Sequence, residues 1–162
     1  MISDITIDTN VFIFASCDLG CCELLLKVFK SGINVCVDTN YEIMGEYGKN
    51  IVKMEGIAKK LIGDLLSGRS RNIKFITKKI YNKHYDLLLC SGFDVSDIKY
   101  VNVAFHSNSK LLVSNESDFC TGNNGRQSEE YVNNIRDIFS NCLSLKVMNG
   151  SDAIDYIRCK KT

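Results

Sequence analysis

Near its start the chain reads SDITIDTN, residues 3–10, which predicts a short buried strand that ends at an acid. Ile5 and Ile7 alternate with polar residues, and Asp8 follows them directly. Further acids lie beside similar apolar runs along the chain: Glu46, Asp97, Glu116 and Asp118. In a parallel sheet the carboxyl ends of the strands gather at one edge, where ligand sites form. We therefore expect these acids to meet at that edge.

Strand and helix patterns alternate to the end of the chain, which predicts an α/β fold with a parallel sheet covered on both faces by helices. The five strands are predicted at residues 3–7, 33–37, 73–76, 110–114 and 145–148. A long helix is predicted over residues 51–66, and Ser151 is expected to cap the last helix. The Gly- and Asn-rich segment at residues 121–127 predicts a mobile loop. With 162 residues, the chain suits a single domain, residues 1–162.

Composition excludes several classes of protein. The hydrophobic share of 45% and the charged share of 24% are ordinary for a globular domain. No apolar run reaches the ~20 residues that span a bilayer, and the N-terminus lacks a signal-peptide pattern, so we expect a cytoplasmic protein without a membrane partner. The eight cysteines include no C-x-x-C pair and there are only two histidines, which argues against zinc and disulfides.

Basic side chains are concentrated in one part of the chain. Ten basic and two acidic side chains lie between residues 49 and 83, a net charge of +8, whereas the rest of the chain holds ten basic and seventeen acidic side chains. A solvated helix face would explain any single lysine. The whole segment favours contact with nucleic acid, and the expected contacts are Arg69, Arg71, Lys74, Lys78 and Lys79.

Carboxylates brought together at a sheet edge repel one another unless a hard divalent cation joins them. Oxygen ligands are the ones that Mg²⁺ and Mn²⁺ select. Combined with a basic segment elsewhere in the chain, such a site suits a metal-dependent phosphodiester hydrolase.

Four short motifs around the acids occur in order along the chain. They are IDTNVFIFA with Asp8, MGEY with Glu46, DVSDIKYVNVA with Asp97, and VSNESDF with Glu116 and Asp118. Each motif alone is weak, but the four in this order, separated by suitable strands and helices, are specific. Over nearly its whole length the chain resembles the PIN-domain ribonucleases of the VapC-like toxin group.

This resemblance implies a three-layer α/β/α sandwich with a mainly parallel five-stranded sheet. It also implies an endoribonuclease that uses Mg²⁺ or Mn²⁺, with RNA as substrate, a small antitoxin protein as partner, and a homodimer as a possible assembly. The expected catalytic residues are Asp8, Glu46, Asp97 and Glu116. The expected metal ligands are Asp8, Asp97, Glu116 and Asp118, supported by Thr9, Asn10 and Ser114.

The fourth motif departs from the family pattern, because Glu116 stands where the family usually has Asp. Either the site accepts the longer side chain or Asp118 takes over its role. A catalytically inactive PIN-like module that binds RNA or protein is therefore an alternative. A phosphatase of the haloacid-dehalogenase type is a second alternative, but that class needs a second Asp two residues after the first, and Asn10 occupies this position.

Overall fold

The sheet has five strands, all parallel, in the order β3-β2-β1-β4-β5. A computed structural model describes residues 2–122 and 127–160. The strands are β1 (Asp4–Ile7), β2 (Asn34–Asp38), β3 (Ile73–Ile76), β4 (Leu111–Val113) and β5 (Lys146–Met148). Each strand lies within one residue of its predicted position or inside it, which confirms the predicted parallel sheet.

Helices cover both faces of this sheet. In chain order they are α1 (Thr9–Phe14), α2 (Leu19–Lys30), α3 (Glu42–Asn50), α4 (Gly56–Leu66), α5 (Asn82–Cys90), α6 (Ile98–His106), α7 (Glu129–Asp137) and α8 (Gly150–Cys159). On one side, α2 packs against α1, α4 and α8. On the other side, α6 lies against β1, β2 and β4. The architecture is a three-layer α/β/α sandwich, as predicted.

The strand order reverses its direction between β1 and β4. From β1 the chain moves outward through β2 to β3, and it then returns to place β4 on the other side of β1. Right-handed crossovers put the connections of these two halves on opposite faces of the sheet. A crevice therefore opens at the carboxyl ends of β1 and β4, which is the usual ligand position in such sheets.

A buried tyrosine holds α3 close to this crevice. The ring of Tyr47 is fully buried, and its hydroxyl donates to the carbonyl of Ile7 at the end of β1. The same ring packs edge-on against Phe12 of α1, with 5.1 Å between the ring centroids. Since Tyr47 follows Glu46 in the chain, this packing places Glu46 near the end of β1.

Two local predictions are wrong, and both concern helix starts. The predicted helix over residues 51–66 is a 3₁₀ turn at Ile51–Lys53 followed by α4, because Glu55 is extended and Gly56 has a φ of 50°. The last helix is capped by Asn149, whose side chain accepts from the amide of Asp152, and not by Ser151. Of the predicted loop, residues 123–126 lie outside the described residues.

Within the described part of the chain, none of the helices combines the length and the apolar character needed to cross a bilayer.

Asp38 is predicted to stabilise the start of α3. Its two carboxylate oxygens accept from the amides of Glu42 and Ile43, each at 2.9 Å. Asp38→Ala leaves both amides without this partner, so we expect the free energy of unfolding to fall by about 1–2 kcal/mol in urea denaturation. Thr39→Ala, at the exposed neighbouring position, should change it by less than about 0.5 kcal/mol. Equal effects of the two substitutions would contradict this capping role.

Candidate metal centre

Asp8 is a buried carboxylate at the end of β1, with only 3% of its surface exposed. Its backbone amide donates to the carbonyl of Val113 at 2.8 Å, which aligns it with the end of β4. One carboxylate oxygen, Oδ2, accepts from the hydroxyl of Ser114 at 2.7 Å and from the side-chain amide of Asn10. Both partners are neutral, so they orient the carboxylate without balancing its charge.

Asn10 and Ser114 also connect the two ends of the crevice. Asn10 Oδ1 accepts from the backbone amide of Asn115 at 2.9 Å, and its amide group donates to Ser114 Oγ at 3.1 Å. Ser114 Oγ in turn accepts from the backbone amide of Glu116 at 3.1 Å. Two of the three predicted supporting residues, Asn10 and Ser114, therefore link the segment after β1 to the segment after β4.

Asp97 and Glu116 lie near enough to Asp8 to interact with it electrostatically. Burial raises the pKa of Asp8 to about 7, and the negative charges of Glu116 and Asp97 contribute to this rise. Burial also raises the pKa of Asp97 to about 7, again with a contribution from Glu116. The pKa of Glu116 is raised as well, first by burial and then by Asp118 and Glu46. These acids lie close enough to disfavour one another's ionisation.

Glu46 lies in a different electrostatic environment from the other acids. Its Oε2 is 2.7 Å from the ammonium of Lys99 on α6. Burial alone would raise its pKa, but the hydrogen bond from Lys99 and weaker ones from Thr9 and Tyr100 outweigh burial and lower the pKa. The protein itself therefore balances the charge of Glu46. Sequence reasoning missed Lys99, although it lies two residues after Asp97 in the third motif.

Thr9 contributes to the Glu46 side of the crevice and does not orient the carboxylate of Asp8. Its hydroxyl is 2.7 Å from the hydroxyl of Tyr100, and both groups are buried. Since Thr9 and Tyr100 both contribute hydrogen bonds to Glu46, the predicted supporting residues divide into two groups. Asn10 and Ser114 serve Asp8, whereas Thr9 serves Glu46.

A second group of acids overlaps with the first at Asp97. Carboxylate oxygens of Asp94, Asp97 and Asp118 all lie within 4.8 Å of one another, a spacing that a cation can bridge. Asp94 belongs to the third motif but is not among the predicted site residues. Its carboxylate does cap the turn before α6, accepting from the amide of Ser96 at 2.7 Å. In the sequence, its position three residues before Asp97 indicates that Asp94 lies near the other acids.

The predicted nucleic-acid contacts fall at different edges of the sheet. Arg69 and Arg71 precede β3 and therefore lie at its amino end, whereas Lys78 and Lys79 follow β3 and lie at the carboxyl end with the acids. Lys74 lies within β3, and its ammonium is 2.5 Å from the carboxylate of Asp4. The strand thus divides the basic segment, and of the five predicted contacts only Lys78 and Lys79 share an edge with the acids.

The donor set suits a hard divalent cation. Among the described residues, no lysine, arginine or histidine forms an ion pair with Asp8, Asp97 or Glu116. These are oxygen donors, which Mg²⁺ and Mn²⁺ prefer to nitrogen and sulfur. A cation at this position would stabilise the charged carboxylates, which burial and mutual repulsion otherwise disfavour.

The buried charge of Asp8 should lower the stability of the metal-free protein above neutral pH. The folded pKa of about 7 exceeds the ordinary value of 3.8, so stability falls as pH rises between these values and then levels off. Asp8→Asn keeps an acceptor for Ser114 and removes the charge. We expect it to raise the free energy of unfolding by roughly 1–3 kcal/mol at pH 8 and by little at pH 4, in urea denaturation with EDTA. A stability difference between Asp8→Asn and the wild type that does not change with pH would contradict the raised pKa of Asp8.

Models of known protein families, curated proteins and solved structures were all compared with the chain, and none of them matches it.

Proposed function

We propose that this protein is a metal-dependent endoribonuclease that hydrolyses phosphodiester bonds in RNA. The observation that carries the proposal is the buried carboxylate of Asp8, oriented by neutral partners at the point where the strand order reverses and facing Asp97 and Glu116. Burying a charge without a balancing group is costly, and such groups concentrate at functional sites.

The residues that would hold Mg²⁺ or Mn²⁺ are Asp8, Asp97 and Glu116, together with Asp118. When bound, the cation supplies a water of lowered pKa and offsets charge on the leaving oxygen. The chain's own part is to position the carboxylates. Both hydrogen bonds to the carboxylate of Asp8, from Asn10 and Ser114, end on Oδ2, so Oδ1 would be the oxygen that binds the cation.

A polyanionic substrate fits the charges that surround the acids. Lys99 lies at the crevice, and Lys78 and Lys79 are exposed at the same sheet edge. Lysine ammonium groups attract a phosphate backbone, while the acids and their cation act on the phosphodiester bond. The resemblance to PIN-domain ribonucleases supports RNA as the polyanion, and it extends the proposal to a toxin that a small antitoxin protein controls.

Asp8 and Asp97 are expected to be essential for cleavage. Asp8→Asn and Asp97→Asn should each lower the rate of Mn²⁺-dependent cleavage of labelled single-stranded RNA by more than about 100-fold, since loss of even an outer partner of a metal site costs about 10- to 100-fold. Ser114→Ala, which removes a partner of Asp8, should cost about 10- to 100-fold.

Asp155→Asn is the matched control, because Asp155 is an exposed acid on α8, and this variant should cleave like the wild type. EDTA should stop cleavage, and Mg²⁺ or Mn²⁺ should restore it. If the wild type binds Mn²⁺ in calorimetry but cleaves no RNA under any condition, the alternative of an inactive binding module replaces this proposal.

The fourth acid is expected to be Glu116. Its charge is the first among those that raise the pKa values of both Asp8 and Asp97, whereas Asp118 also accepts a hydrogen bond from Gln127. We therefore expect Glu116→Gln to lower the single-turnover cleavage rate more than Asp118→Asn does. A larger loss with Asp118→Asn would transfer the role to the group formed by Asp94, Asp97 and Asp118.

A further inference from the structure

A cavity of about 650 Å³ lies beside the acids, at the carboxyl ends of β2 and β3. Sites for small molecules usually have volumes of about 300–1,000 Å³, so a unit of nucleotide size fits this cavity. The cavity and the acids share one segment of chain. Ser96 and Lys99 line the cavity, while Asp94 and Asp97 of the same segment belong to the acidic group. A ligand in the cavity is therefore adjacent to the candidate metal centre.

One wall of the cavity is held in place by α6. Asn102 Oδ1 accepts from the amide of Ile80 at 2.5 Å, and its Nδ2 donates to the carbonyl of Lys78 at 3.1 Å. His106 Nε2 donates to the carbonyl of Lys79 at 2.9 Å. The backbone of the segment after β3 is thus fixed, and the cavity exists before any ligand binds. A preformed site avoids the cost of ordering a loop on binding.

This wall carries two basic side chains. Lys78 and Lys79 line the cavity and are exposed, and neither has a carboxylate partner in residues 2–122 and 127–160. Lys99, the third lysine of the cavity, is shared with Glu46. Lys78, Lys79 and Lys99 outnumber the two acids of the lining, Asp38 and Glu42, and the carboxylate of Asp38 is bound by two amides at the start of α3. The exposed ammonium groups of Lys78 and Lys79 can bind an anion, and phosphate is the anion that the neighbouring acids and their cation would act upon.

Other residues of the cavity lining suit a nucleobase. Tyr85 of α5 lines the cavity with 37% of its surface exposed, so its ring is accessible to a ligand. Asn82, one turn earlier on the same helix, adds an exposed side-chain amide that can both donate and accept hydrogen bonds. Aromatic rings stack on unpaired bases, and amides bind their edges.

We propose that this cavity binds one nucleotide of single-stranded RNA next to the phosphate that is cleaved. Tyr85 stacks on the base, Asn82 contacts its edge, and Lys78 and Lys79 contact the flanking phosphates. Because a base inside the cavity cannot remain paired, the site selects single strands over duplexes. The proposal rests on the proposed ribonuclease function, and it adds the class of substrate and the residues that select it.

The test measures binding of a labelled 12-nucleotide RNA by fluorescence anisotropy, with EDTA present and Asp8→Asn as the common background. Tyr85→Ala should weaken binding of the single strand by about 5- to 150-fold, and Tyr85→Phe should keep it within about twofold. Lys78→Gln with Lys79→Gln should flatten the log–log salt dependence by about 1.4, since each phosphate contact with a single strand contributes about 0.7. The same RNA as a duplex should bind more weakly and respond little to Tyr85→Ala.

The matched control removes two other positive charges. Arg69→Gln with Arg71→Gln changes the net charge equally but at the amino end of β3, and we expect it to leave the salt slope nearly unchanged. All four side chains are among the predicted nucleic-acid contacts, so the comparison of the two pairs shows which edge of the sheet binds RNA. A larger change with the arginine pair would overturn the cavity proposal.

The possible outcomes distinguish the cavity proposal from the proposed ribonuclease function. One outcome is that the wild type cleaves RNA with Mn²⁺ while neither Tyr85→Ala nor the lysine double substitution changes RNA binding. In that case the cavity proposal fails and the ribonuclease function stands. If binding depends on these residues but no cleavage occurs, the cavity proposal stands and the ribonuclease function fails. Should Tyr85→Ala unfold in thermal denaturation, Asn82→Ala at an exposed position takes its place and should weaken binding in the same assay.

Discussion

The pairing of β1 with β4 determines where the chemistry of this protein lies. The two strands pair with Thr6 opposite Leu112 and Ile7 opposite Val113, and the amide of Asp8 extends this pairing. A slip of one residue would turn every side chain of β1 to the other face of the sheet, so the buried isoleucines hold the register. The same register brings Asp8 beside Ser114.

Two kinds of acid meet at this crevice, and the difference between them lies in their partners. Glu46 has Lys99, and its charge is balanced within the protein. Asp8, Asp97 and Glu116 form no ion pair among the described residues, and burial, together with the charges of neighbouring acids, raises their pKa values. The protein thus tolerates a local loss of stability at one point of an otherwise well-packed core, which is the usual trade between stability and function.

Local patterns predicted much of this arrangement. Alternating residues such as Ile5 and Ile7 indicated the strands, and the order of strands and helices indicated a parallel sheet whose carboxyl edge would gather Asp8, Asp97 and Glu116. The ion pair of Glu46 with Lys99 was not predictable, because it joins two helices whose relative position depends on packing.

The division of the basic segment between two edges of the sheet was not predictable either, because it also depends on how the chain folds. Proximity in sequence suggested one surface, but β3 runs through the segment and carries Arg71 and Lys78 to opposite edges of the sheet. Charge counts along a chain do not show which side chains a strand separates.

The ion pair between Asp4 and Lys74 makes the acid at the start of β1 differ from the acid at its end. The pKa of Asp4 is lowered, whereas the pKa of Asp8 is raised. Burial alone would raise the pKa of Asp4, but hydrogen bonds from Lys74 and from the amides of Ser109 and Asn108 outweigh it and lower the pKa. During acidification Asp8 therefore takes up its proton first, which relieves repulsion at the crevice, while Asp4 keeps its charge to much lower pH and continues to tie β1 to β3. In the metal-free protein, mild acid would thus protonate the acids of the crevice without loosening the sheet that carries them.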